Sequence, residues 1–103
     1  MENTDKKIQE IHLLEQSLQN LFLQKQAFQM ELSETQSALK EIENSGDEIF
    51  KIIGQLMIKT DKSKIKEELS NKEKILDLRK KTIEKQETSL TKKLDSLRGE
   101  VIQ

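Results

Sequence analysis

The chain has 103 residues, 36% of them charged and 3% aromatic, with a net charge of −1, no Cys and no Pro. That length holds one domain, and the composition suits long solvated helices better than a thick core around a reaction centre. Lack of cysteine excludes a disulfide framework and a thiolate metal site, no apolar run approaches the ~20 residues that span a bilayer, and the near-neutral charge carries no nucleic-acid or membrane-surface footprint.

The opening residues Met1-Glu2-Asn3-Thr4-Asp5 are too acidic and polar for a secretory signal, so a cytoplasmic location is expected. From Ile11, steps of three and four reach Leu14, Leu18, Leu21, Lys25, Phe28, Leu32, Thr35, Leu39 and Ile42. Such a line predicts a seam-forming helix over about 4–43. Its polar members, Lys25 and Thr35, weaken the seam while helping to set its register. Asn44-Ser45-Gly46-Asp47 then ends the helix, with Gly46 expected in the left-handed conformation of a helix stop.

A short β-branched run follows, predicting a hairpin over about 48–59. Seven of the ten residues from Ile49 to Ile58 are apolar, and Lys51 is the only charge among them. Phe50 and Ile52 fall on one face, with Ile49, Lys51 and Ile53 on the other; Leu56 and Ile58 then alternate with Met57 and Lys59. Gly54-Gln55 fits a two-residue turn with Gly at its first central position. A lone two-stranded hairpin is marginal in water, and its open edges invite other strands. It either folds down onto its own helices or joins like hairpins in a shared sheet or barrel, which removes the edges.

Thr60-Asp61 offers a cap for a second helix over about 61–102. From Ile65 the line Leu69, Leu76, Ile83, Leu90 and Leu97 repeats every seven residues. Lys72, Arg79, Gln86 and Lys93 read as its companion positions, their aliphatic stems covering the seam. Two i,i+4 pairs, Glu68 with Lys72 and Asp77 with Lys81, add local support. The arms match in antiparallel register, with Leu39 near Leu69, Leu18 near Leu90, Leu14 near Leu94 and Ile11 near Leu97. Residues 1–48 carry 4 Lys and 10 Asp/Glu, whereas residues 59–98 carry 13 Lys/Arg and 8 Asp/Glu, which favours one arm folding on the other. A parallel dimer of separate helices is the alternative. The expected fold is mainly α: a single domain over 1–103, built as a long antiparallel two-helix coiled coil joined by one β-hairpin.

Helix, Ala38-Leu39-Lys40-Glu41-Ile42, short polar turn, Phe50-Lys51-Ile52-Ile53-Gly54-Gln55-Leu56-Met57-Ile58-Lys59 and helix again resemble a prefoldin subunit of the β type over nearly the whole chain. A single hairpin points to β rather than α, and Phe50 stands where a Tyr is common. The resemblance implies an ATP-independent chaperone. Its hexamer has two α-type and four β-type subunits, and a β-barrel platform from which coiled coils project. It holds unfolded client proteins at the tips and passes them to a group II chaperonin. In this chain Ile49, Phe50, Ile52, Ile53, Gly54, Leu56, Met57 and Ile58 would oligomerise as that platform.

The free tips would then be the ends of the arms. Ile8, Ile11, Leu13 and Leu14 at one terminus face Leu94, Leu97, Val101 and Ile102 at the other, more apolar residues than a seam needs. Such a cluster either grips clients or seals the end of the coil. A structural adaptor that oligomerises without holding clients is the competing function.

No catalytic constellation is found. His12 is the only His, near Glu15, and without Cys it cannot anchor three-ligand zinc chemistry. Three scattered glycines make no phosphate-cradling loop, so no cofactor or nucleotide hydrolysis is expected. Asp77 and Glu84 dilute the run Arg79-Lys80-Lys81, so nucleic acid is not an expected partner.

Overall fold

The computed structural model describes residues 2–102. Two long helices, α1 (Glu2–Glu43) and α2 (Lys62–Ile102), are joined by an antiparallel strand pair, β1 (Ile49–Ile53) and β2 (Leu56–Thr60). No Gly or Pro interrupts α1, and its Leu, Gln, Glu and Lys residues lose little rotamer freedom in a helix. The chain divides into two compact units: a first unit of α1 through Phe28 with α2 from Arg79, and a second unit from Gln29 to Leu78.

In the first unit Ile11, Leu14 and Leu94 form a buried cluster, with Leu18, Leu90, Leu97 and Val101 packed against it. These are the residues that the antiparallel register brings together. Ion pairs flank the seam: Lys7 with Glu100 at 3.3 Å, Glu10 with Lys93 at 3.6 Å, and Glu15 with Arg98 at 3.8 Å. Acid lies on α1 in two of them and on α2 in one, so the charge asymmetry of the arms is only partly used. Exposed pairs of this kind contribute about 0–1 kcal/mol each.

In the second unit Leu32, Ile65 and Leu76 are buried, and Leu39, Ile42 and Leu69 are half-buried. Thr35 is only 3% exposed, and its Oγ1 donates to the Glu31 carbonyl at 2.8 Å. That local bond satisfies the hydroxyl, so the polar seam position carries no unmet donor.

Two local expectations need correction. The only positive φ among the described residues is at Gly54, so Gly46 is not the left-handed stop. Instead the Ser45 amide and hydroxyl both donate to the Ile42 carbonyl, at 3.2 and 2.8 Å, and Lys62 Nζ donates to the Ser45 carbonyl at 2.8 Å. The serine supplies locally what a left-handed glycine would have supplied through its backbone. The companion column on α2 is also shifted. Lys72, Arg79, Gln86 and Lys93 are exposed, whereas Glu73, Lys80 and Glu87 are half-buried, followed by buried Leu94 and half-buried Val101. A seven-residue line is completed equally well by a step of three or of four. Leu94 and Val101, both apolar, mark the step of four as the one facing α1.

Candidate functional site

The strand pair is the first candidate surface. Gly54 has φ 60°, a conformation that L side chains rarely adopt, and begins a two-residue turn whose second central residue, Gln55, keeps negative φ. That is the pattern of a type II′ turn, which matches the right-handed twist of the strands it joins. The register pairs Ile49 with Thr60, Phe50 with Lys59, Lys51 with Ile58, Ile52 with Met57 and Ile53 with Leu56. Cross-strand partners share a face, so one face carries Phe50, Ile52, Met57 and Lys59. The other carries Ile49, Lys51, Ile53, Leu56, Ile58 and Thr60.

Both faces are apolar and both are open. Phe50, Ile52, Ile53, Leu56, Met57 and Ile58 are all exposed, Ile52 by 69% and Met57 by 67%, and only Ile49 is half-buried. The hairpin is therefore not folded down on its own helices. What ties it to the rest of its unit is polar: Lys51 Nζ meets Glu68 Oε2 at 3.1 Å, engaging the carboxylate expected to serve Lys72. The sheet has two strands, so each has an outer edge without a strand neighbour among the described residues. The turn makes Ile53 and Leu56 a hydrogen-bonded pair, and alternation then points the backbone groups of Phe50, Ile52, Met57 and Lys59 at those outer edges. Apolar faces with unpaired edges are the features by which sheets in general add strands.

The second candidate lies in the first unit, at the chain ends. Ile11, Leu14 and Leu94 are buried there, and Leu97 and Val101 half-buried, all within the seam. Ile8, Leu13 and Ile102 are exposed, Ile102 by 84%. The eight tip residues thus separate into five that hold the helices together and three that face water. Ile8, Leu13 and Ile102 are the surplus over what the seam needs, and they lie off it. Sequence reasoning missed further exposed apolar residues: Phe22 and Leu23 in this unit, and Met30, Ile75 and Leu78 in the other. It also missed the partner of Lys25, whose Nζ lies 2.8 Å from Glu87 Oε1. Reading the companion column four residues on from Ile83 would have found Glu87.

Chemical machinery is sparse. No group of His, Cys, Asp and Glu that could hold a metal ion occurs among the described residues. His12 is exposed. A shallow groove in the first unit is lined by Ser17, Asn20, Leu21, Gln86, Ser89 and Leu90, with no base beside either serine among those residues. No described helix is long and apolar enough to cross a membrane.

Comparison with known proteins adds relatives to this geometry. Residues 5–103 match the family model described as prefoldin subunit. A prefoldin subunit beta of Thermococcus onnurineus is 45% identical over 85 residues, covering 81% of this chain and 73% of that protein. A prefoldin subunit beta of Saccharolobus islandicus is 36% identical over 90 residues, covering 85% of this chain and 71% of that protein. Among solved structures, the crystal structure of the prefoldin beta subunit from Thermococcus strain KS-1 superposes with a TM-score of 0.89 at 35% identity. That match covers 96% of this chain and 89% of the other.

Proposed function

The chain belongs to the prefoldin subunit family, and from that premise we propose that it is a β-type subunit of an ATP-independent chaperone. Its hairpin joins α-type partners and further copies of itself in a hexamer of two α and four β subunits. The ends of its helices hold unfolded proteins, which the complex passes to a group II chaperonin. It works in the cytoplasm and catalyses no reaction.

One observation carries this reading: an apolar strand pair left open on both faces and both edges, in a chain whose relatives are prefoldin beta subunits. Burying apolar area is the main favourable term in association, and unpaired edges are otherwise a liability. Client holding is assigned to Ile8, Leu13 and Ile102 first, because they are exposed without being needed by the seam. Ile11, Leu14, Leu94, Leu97 and Val101 contribute by keeping the ends of the coil together and offering apolar margins.

The experiment is an aggregation-suppression assay with a chemically unfolded client, run on the assembled complex. The Ile8→Ser/Leu13→Ser/Ile102→Ser variant is expected to keep the assembled mass and helix content and to lose most of its suppression. Unchanged suppression would favour the competing reading, an adaptor whose tips merely seal the coil, which the burial of five of the eight tip residues supports. Native mass spectrometry with and without an α-type partner tests the assembly itself.

A further inference from the structure

The seam of the first unit carries a charged pair that bridges the two helices. Lys25 and Glu87 lie across it from each other, Nζ to Oε1 at 2.8 Å, with side chains only 29% and 18% exposed. The Lys25 ammonium is also 5.9 Å from the centre of the Phe22 ring. Around this level the seam is apolar, with Leu21, Phe28, Ile83 and Leu90 buried or half-buried. A charged pair in a coiled-coil seam is a poor way to gain stability, because drawing both ions out of water offsets much of their attraction. Seam polarity is better at choosing partners and register.

The alternatives show what this pair selects against. If the α1 helices of two copies packed in parallel and in register, Lys25 would meet Lys25. If two α2 helices did so, Glu87 would meet Glu87. Slipping α1 along α2 by one heptad would set Lys25 against Lys80 or against the buried Leu94. Only α1 on α2 in the observed register neutralises both charges. We propose that Lys25 and Glu87 are the specificity-determining pair that directs each α1 onto an α2 and prevents pairing of like helices between copies. Such discrimination matters most when copies are held close together, since tethering raises the local concentration of the wrong partners. The inference concerns helix pairing and stands apart from client holding.

Because the chain has no cysteine, Leu21→Cys provides a single thiol in the seam, and any disulfide reports two copies with like helices side by side. In a glutathione redox buffer, the disulfide-linked fraction is expected to be low with Lys25 and Glu87 in place. With Lys25→Leu/Glu87→Leu it should rise about tenfold, and with the exchanged Lys25→Glu/Glu87→Lys it should fall back. The double-leucine variant keeps an apolar seam, and circular dichroism confirms that its helices remain. Equal linked fractions with and without the charges, or a high fraction in the exchanged variant, would overturn the proposal. Native mass measured on the same samples separates the two readings. Loss of assembly with the linked fractions as expected counts against the platform alone, whereas intact assembly with flat fractions counts against the pairing role alone.

Discussion

Replacing Ile52 with Asp tests the assembly surface most directly. Ile52 is 69% exposed in the single chain and stands opposite Met57, itself 67% exposed. A substitution at so open a position changes the stability of the isolated subunit by no more than about 0.5 kcal/mol. In the proposed assembly the same side chain would be covered by a neighbouring subunit. Losing its burial there removes about 1–2 kcal/mol of apolar stabilisation, and an unpaired carboxylate in a dry interface costs several kcal/mol more. Asp is chosen over Glu because Lys59 lies diagonally across the same face, and the shorter side chain is the less able to pair with it. A combined loss of about 4–6 kcal/mol weakens association by roughly 10³–10⁴-fold. Sedimentation velocity with an α-type partner present should therefore show subunits where the unaltered chain forms a complex, while circular dichroism shows unchanged helix. A variant that assembles with undiminished affinity would refute the idea that this face is buried between subunits.

Two further outcomes concern the seam. Leu76 is 3% exposed, so Leu76→Ala should lower unfolding stability by about 2–4 kcal/mol, read as a lower urea midpoint at an unchanged slope. Thr35 is equally buried, but its hydroxyl bonds only to the Glu31 carbonyl within its own helix. Thr35→Val keeps the shape and removes the buried hydroxyl, and it should raise stability by up to about 1 kcal/mol in the same titration.

The α1 seam was legible from Ile11 to Ile42 because a helix packed along one side repeats its apolar residues in steps of three and four. The hairpin was legible for a different reason: Gly54 is the one residue in the run that adopts φ 60° without strain. On α2 the leucine line is plain in the sequence, whereas the column beside it is not. Lys, Arg, Gln and Glu all cover a seam with their stems, so residue type did not separate Arg79 and Gln86 from Lys80 and Glu87. At the end of α1, Ser45 and Lys62 make a left-handed glycine at Gly46 unnecessary.

Local periodicity and turn chemistry are written into neighbouring residues, and so two helices, one hairpin and their antiparallel match follow from the order of amino acids alone. Which side of α2 meets α1 and which charge answers Lys25 depend on contacts between segments far apart in the chain. Those contacts are settled by packing, since a side chain is buried or exposed according to what the opposite helix places against it.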